Sequence, residues 1–175
     1  MNISDSIKYA GGLVVCIILR FAQIVPNAEP IMGFTLPYSK KYGWLAGGFF
    51  ALVAMASFDF VSGRLGLWTI YTSLAYFTVG ALAAVAFSKF KTVTRWHYAG
   101  YAALATVFFD AVTALMFGWQ FSQPLAVTFA GQLPFTMYHL LGNVAFAAVV
   151  SPAIYSYVLA SETPLRSGVN NLSAV

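Results

Sequence analysis

The sequence is short of charge: it has nine basic and five acidic residues, 14 charges in 175 residues. A soluble domain normally carries about a quarter charged residues, so 14 charges cannot cover the surface of a soluble fold of this size. A disordered chain is excluded as well, and the basic residues are too sparse for a nucleic-acid-binding patch. With 60% apolar residues and a mean hydropathy of +0.77, the sequence is typical of a polytopic membrane protein.

Reactive and metal-binding residues are also scarce. The single cysteine, Cys16, excludes an intrachain disulfide, and we interpret it as a small buried hydrophobe. The two histidines, His97 and His139, are expected near opposite membrane faces, which argues against a haem held between them. No Walker A, GxGxxG, HExxH or GxSxG motif is present. We therefore expect no catalytic residue, no metal and no cofactor.

Apolar runs between charges and turn signals mark the membrane spans. They predict five long spans, over residues 7–25, 44–61, 67–87, 96–117 and 133–159. The remaining stretch, 29–42, is short for a helix that crosses a hydrocarbon core of about 30 Å. Pro30 and Pro37 are expected to bend or interrupt it.

The distribution of basic residues favours a crossing by this short stretch. If it crosses, seven of the nine basic residues fall on one side of the membrane, as expected for cytoplasmic loops. These seven are Lys8, Lys40, Lys41, Lys89, Lys91, Arg95 and Arg166. We therefore predict an all-α integral membrane protein, a single domain over 1–175. It has six transmembrane helices in one bundle, a short second span (29–42) and both termini in the cytoplasm.

In this topology, polar and aromatic residues concentrate in the outer halves of the spans and in the outer loops. Because charges in a membrane core are costly and usually face a cavity or a partner, the sequence predicts a substrate-binding cavity open to the outside. Its candidate residues are Asn27, Glu29, Asp59, Arg64, Trp68, Tyr71, Asp110, Trp119, Gln120, Gln123, Gln132, Tyr138, His139 and Asn143. Trp119 and the three glutamines are assigned to the loop before the last span, and Tyr138, His139 and Asn143 to the outer half of that span.

Several of these candidates have a purely structural alternative. Arg20 is expected to form an ion pair with Asp110 or Glu29 that fixes helix register. The structural alternative for Asp59 is that it caps the turn that follows it or pairs with Arg64. His139 is alternatively a histidine that serves packing alone, and Asn143 alternatively forms a hydrogen bond between helices. The aromatic candidates are alternatively members of an interfacial belt; these are Trp68, Trp119 and Tyr138.

The cytoplasmic halves of the spans are rich in glycine and alanine, including Gly11-Gly12, Gly47-Gly48 and Gly100. Small residues let helices approach closely in lipid, where packing drives association. We therefore expect this half to be tightly packed or to dock on a partner.

Several segments of the sequence, taken together with its length and span count, resemble one family of membrane proteins. The loop Pro26-Asn27-Ala28-Glu29-Pro30 leads into the short second span, and the third span ends in Ser57-Phe58-Asp59-Phe60-Val61-Ser62-Gly63. The fourth span begins Trp68-Thr69-Ile70-Tyr71 and ends Gly80-Ala81-Leu82. With the length and the six-span count, these features resemble the S components of energy-coupling factor (ECF) transporters, over roughly residues 7–160.

The resemblance implies a function. S components are small six-span proteins of prokaryotic cytoplasmic (inner) membranes that capture vitamins and related micronutrients from the outside. They dock on a coupling subunit that carries two ATPases and then topple to deliver the substrate inward. Docking uses small residues on the first span, often Ala-x-x-x-Ala; the nearest match here is Ser6-x-x-x-Ala10, followed by Gly11 and Gly12. Some S components work alone, so a solitary role stays open.

The substrate is left open between two classes. The aromatic candidates Trp68, Tyr71, Trp119 and Tyr138 suit a flat heteroaromatic ring, whereas a cobalamin-like corrinoid would use His139 as a cobalt ligand. Two other functions are alternatives to a transporter. One is a structural or assembly membrane protein whose polar residues only hold helices together, and the other is a small membrane enzyme built on Ser57, Asp59 and His139.

Overall fold

The computed structural model describes residues 1–22 and 29–160, and within them the chain is helical, with no strand. This confirms the all-α prediction. The helices are α1 (Ile3–Ala22), α2 (Pro30–Tyr42), α3 (Trp44–Val61), α4 (Leu67–Ser88), α5 (Arg95–Gln120) and α6 (Leu125–Ala153), which continues as a π-helical segment (Ile154–Leu159).

Four of these helices are long and apolar enough to cross a membrane: α3, α4, α5, and α6 together with its π-helical extension. This is the composition of a multi-pass membrane protein. The other two have weaker signatures for different reasons: α1 has 20 residues but carries three charges, Asp5, Lys8 and Arg20, and α2 has only 13 residues.

Hydrogen bonds bring three helix ends together. The Tyr38 hydroxyl, near the end of α2, donates to the backbone carbonyl of Lys8 near the start of α1, at 2.8 Å. The Lys40 ammonium donates to the carbonyls of Phe87 and Phe90 at the end of α4, at 2.9 and 3.1 Å. The start of α1 and the ends of α2 and α4 therefore lie at one end of the structure, called the basic end below.

Helix α2 is the centre of the fold. Every residue from Pro30 to Ser39 is buried. At 1.5 Å per residue, its 13 residues extend about 20 Å. Because the C-terminus of α2 lies at the basic end, its N-terminus lies well short of the opposite end. Its N-terminal neighbour Glu29 accepts a hydrogen bond from Tyr76, near the middle of α4. The N-terminus of α2 therefore lies deep inside the structure.

The expectation that prolines interrupt this helix is wrong, and the structure gives the reasons. Pro30 is at the first helical position, where its missing N–H is not needed. Pro37 lies inside the helix and cannot donate to the carbonyl of Gly33, four residues earlier. The hydroxyl of Ser151 in α6 donates to that carbonyl instead, at 2.7 Å. The helix stays continuous because a distant residue satisfies the freed acceptor.

Glycines set the closest helix contacts, as the small-residue pattern predicts. A Cβ added to Gly80 in α4 would overlap the carbonyl oxygen of Gly47 in α3, so these two backbones touch. Gly12 faces inward, against the Tyr38 hydroxyl, whereas a Cβ added to Gly11 or Gly100 would meet no atom within 4 Å. The glycines therefore divide between internal packing and open faces.

The boundaries of the last two helices differ from the prediction. α5 continues to Gln120 and α6 begins at Leu125, so only four residues connect them. The segment before residue 133 is helical because its residues, from Leu125 to Ala130, are mostly apolar, and Thr128 packs closely on Gly118. Gln132 is thus in α6 rather than in a loop, and His139 lies near the middle of this longer helix rather than in its outer half.

Candidate functional site

A largely buried ion pair lies where α1 meets the start of α2. The Arg20 guanidinium is 3.0 Å from one carboxylate oxygen of Glu29, and the other oxygen accepts the hydrogen bond from Tyr76. Arg20 also donates to the sulfur of Met55 at 3.0 Å and stacks over the ring of Phe58 at 4.3 Å. Of the two predicted partners of Arg20, the structure selects Glu29.

Asp110 forms a second buried polar pair, with His139. Its carboxylate oxygen Oδ1 is 2.8 Å from Nδ1 of His139, and both side chains are about 2% exposed or less. Because an ionised carboxylate only accepts hydrogen bonds, the proton of the neutral imidazole is assigned to Nδ1. Within the described part of the chain, Nε2 of His139 and Oδ2 of Asp110 have no hydrogen-bond partner.

The two pairs meet at a cavity of about 230 Å³. The cavity borders Glu29, the residue before α2, and its other lining residues lie mainly in the halves of the longer helices away from the basic end. Its lining comes from α3, α4, α5, α6 and the residue before α2: Glu29, Met55, Thr72, Phe109, Thr113, Phe117, Gln132, Phe135 and His139. It is smaller than the roughly 300–1,000 Å³ of typical drug-sized ligand sites.

The neutral polar groups of the lining differ in how free they are. The hydroxyls of Thr72 and Thr113 donate to carbonyls of their own helices, at 2.8 Å each. The Gln132 amide donates to Thr136 across 3.4 Å, a long hydrogen bond. Gln132 and the partnerless Nε2 of His139 are therefore the neutral groups best placed to bind a ligand.

Two other predicted residues hold helices together instead of lining the cavity. Asn143 donates from its amide to Thr106 in α5 at 3.0 Å, so the interhelical interpretation is confirmed for this bond. The carboxylate of Asp59 accepts from Thr69 in α4 at 2.7 Å, and both residues are buried. The expected partners of Asp59, the turn that follows it and the Arg64 side chain, are replaced by this contact with α4.

The remaining candidates lie outside the cavity lining. Arg64, Trp68, Trp119, Gln120, Gln123 and Tyr138 are exposed, Trp119 by 81%. Tyr71 is half-buried and lies edge-on to Phe117, with ring centroids 6.1 Å apart. Asn27 lies outside the described residues. Of the predicted residues, the structure thus brings Glu29, Gln132 and His139 to the cavity, with Asp110 behind His139.

The aromatic groups of the cavity were not among the sequence candidates. They are Phe109, Phe117 and Phe135, and phenylalanine in an apolar span looks the same whether it faces lipid or a cavity. A spacing signal was nevertheless present. Phe109 and Phe117 lie two turns apart in α5, and Phe135 is four residues before His139, so each set shares a helix face.

No family model, curated protein or solved structure matches the chain. Its function has to be inferred from the cavity and from the groups that surround it.

Proposed function

We propose that the chain is the substrate-binding subunit of a micronutrient uptake transporter, as its resemblance to ECF S components implies. The observation that carries this proposal is the cavity at the meeting point of the Arg20–Glu29 ion pair and the buried Asp110–His139 pair. Charged groups inside a membrane are costly and usually serve a pathway or a binding site. Helix interfaces need only satisfied bonds, whereas His139 lines a cavity and its buried Nε2 has no partner among the described residues.

The proposed topology has six crossings, in a prokaryotic cytoplasmic membrane, with both termini inside. The contacts at the basic end support it, because they place Lys8 and Lys40 beside the end of α4, which Lys89 and Lys91 follow. Such a concentration of lysines is expected on the cytoplasmic side. The cavity then opens toward the external side, from which a substrate would enter.

The proposed partners are a coupling subunit with two ATPases, although a solitary carrier is the variant of the same function. Ser6, Ala10 and Gly11 support docking, because they are exposed along α1, and nothing lies within 4 Å of a Cβ placed on Gly11. Gly12 does not belong to this surface, because it faces Tyr38 inside the structure.

The cavity volume narrows the substrate. A space of about 230 Å³ suits a small ring-bearing molecule, and three phenylalanine rings offer it stacking or edge contacts. A corrinoid macrocycle is too large for this space. The proposal therefore favours a compact vitamin-like or precursor-sized compound over a cobalamin.

Mass spectrometry of small molecules that co-purify with the detergent-solubilised protein from rich medium tests the proposal. We expect one bound compound, and thermal stabilisation by that compound or a close relative in a vitamin panel. Phe135→Leu should weaken binding because the ring lines the cavity. Tyr138→Leu, in the same helix but outside the cavity lining, is the matched control and should bind normally. A protein with no bound compound and no thermal shift would contradict the proposal.

A structural or assembly protein is the second candidate, and a specific observation favours it. Several buried polar groups already make satisfied bonds between helices, such as Asn143 with Thr106 and Asp59 with Thr69. In that case the polar cluster is adhesive only. This second function predicts that Phe135→Leu and Tyr138→Leu change stability without changing the binding of any small molecule.

A further inference from the structure

The groups around the cavity carry an unbalanced charge. Arg20 is positive, Glu29 and Asp110 are negative, and His139 is neutral when only Nδ1 carries a proton, so the net charge is −1. Among the described residues, Tyr76 from α4 contacts the cluster through its hydrogen bond to Glu29, and the buried thiol of Cys16 in α1 interacts electrostatically with Arg20 and Glu29. In a membrane interior such an imbalance is unfavourable, and one additional positive charge would remove it.

Two different species can supply that charge. A proton on Nε2 of His139 turns the imidazole into an imidazolium beside Asp110 and brings the cluster to neutrality. A cationic ligand in the cavity would do the same while His139 stays neutral. The two are mutually exclusive at close range, because an imidazolium in the wall of the cavity would repel a cation.

The hydrogen-bonding capacity of the cavity points in the same direction. Neutral His139 presents a lone pair at Nε2, and the Glu29 carboxylate retains acceptor capacity beyond Arg20 and Tyr76. Arg20, by contrast, directs two of its N–H groups at Glu29 and Met55, and the Tyr76 hydroxyl donates to Glu29. A ligand rich in N–H donors therefore fits better than one rich in acceptors.

The walls specify the body of such a ligand. Phe135 and Phe109 flank the imidazole of His139, with ring centroids at 5.3 and 5.9 Å, and Phe117 lines the same cavity. Aromatic faces bind flat rings and also attract cations. The lining thus combines ring contacts with two acceptors at its deep end.

We propose that this cavity selects a small aromatic monocation with N–H donors, and that such a ligand binds in place of a proton on the Asp110–His139 pair. The inference rests on the proposed function and narrows its substrate to this chemical class. Binding is non-covalent: where His139 is protonated, the cation enters as one proton leaves His139 for solvent and the charge of the site stays the same, and where His139 is neutral, the cation itself neutralises the site.

Two probes of nearly equal shape test the charge preference: benzamidinium, cationic throughout the pH range used, and neutral benzamide. Their affinities for the purified full chain in detergent are measured by calorimetry between pH 5 and pH 8. At pH 8 we expect benzamidinium to bind about tenfold more tightly than benzamide. Below the titration of His139 its affinity should fall about tenfold per pH unit, because one proton competes. Benzamide affinity should change little.

Conservative variants assign the effect to the pair. Asp110→Asn should remove the preference for benzamidinium over benzamide, and His139→Gln should flatten the pH dependence. Asp59→Asn is the matched control, because Asp59 is also a buried carboxylate but bonds Thr69 away from the cavity. If a variant fails to fold by thermal melting and gel filtration, the pH series of the unaltered protein decides alone.

Equal affinity for the two probes at every pH, or binding of neither, would overturn the inference. So would a co-purified natural ligand that is neutral or anionic, although that result would leave the proposed transport function standing. If no natural ligand co-purifies but benzamidinium still displaces a proton, the charge preference holds and the transport proposal fails. The two proposals therefore fail on different measurements.

Discussion

Replacement of Gly80 by alanine tests the close contact between the backbones of α3 and α4. The Cβ of the new residue would overlap the carbonyl oxygen of Gly47, and would lie 2.7 Å from its carbonyl carbon and 3.0 Å from the amide nitrogen of Gly48. All three atoms belong to the backbone of α3, so no side-chain rotation can relieve the contact. Since real Cβ atoms essentially never approach closer than 3.0 Å, α3 and α4 must separate by more than about 0.3 Å.

The magnitude follows from a comparison with Gly100→Ala in α5. Nothing lies within 4 Å of a Cβ at Gly100, so that variant gains only the preference of a helix for alanine, up to about 1 kcal/mol. Gly80→Ala gains the same term and loses about 1–3 kcal/mol to overpacking. The difference between the two variants therefore isolates the overpacking. For a chain of this length it corresponds to a melting temperature lower by about 2–12 °C.

The assay is thermal unfolding of both variants in the same detergent, followed by tryptophan fluorescence, with gel filtration to confirm that each starts folded. The unaltered protein should lie between them or close to Gly80→Ala. If Gly80→Ala is as stable as Gly100→Ala, the backbones of α3 and α4 do not touch at this crossing. The close packing of the glycine-rich half would then have to be abandoned.

Three further predictions concern the charged residues. Lys40→Met should destabilise the protein by about 1.5–3 kcal/mol, because the ammonium binds two carbonyls at the end of α4. Lys41→Met, at the exposed neighbouring position, should have little effect. Equal melting curves for the two variants would contradict the role of Lys40 as a cap of α4. Arg20→Met should cost about 3–5 kcal/mol because it leaves the largely buried Glu29 without its cation, and adding Glu29→Gln should restore part of that loss in a double-mutant cycle. A cysteine at Lys41 should react with an impermeant reagent only from the cytoplasmic side and one at Trp119 only from outside; labelling of both from one side would refute the six-crossing topology.

The sequence could predict the fold class and much of the helix placement because both depend on local patterns. Apolar runs bounded by Ser62-Gly63 and by Lys89 set the ends of α3 and α4, and the structure ends these helices at or within a residue of those signals. Gly43 provides the reversal between α2 and α3, with a positive φ of 87° that glycine adopts readily.

The sequence predictions that were wrong or left open concern contacts between residues far apart in the chain. The continuity of α2 at Pro37 depends on Ser151, which is 118 residues away from the carbonyl it satisfies. Whether Arg20 pairs with Glu29 or with Asp110 depends on the depth at which α2 begins. Asp110 does not pair with Arg20, because its carboxylate bonds His139 instead. No local pattern encodes either contact, so hydropathy and spacing alone could not settle them.

The short second helix connects the weakest membrane signal to the candidate site. A helix of about 30 Å in this position would be an obvious span, but it would also fill the core from end to end. Because α2 has only 13 residues, Glu29, which precedes it, is held at the depth of Tyr76. The cavity next to Glu29 is lined by four longer helices. Short or Pro- and Gly-interrupted segments often mark binding sites in transporters. The stretch that is ambiguous as a span therefore begins beside the cavity, since the residue before its helix, Glu29, is part of the cavity lining.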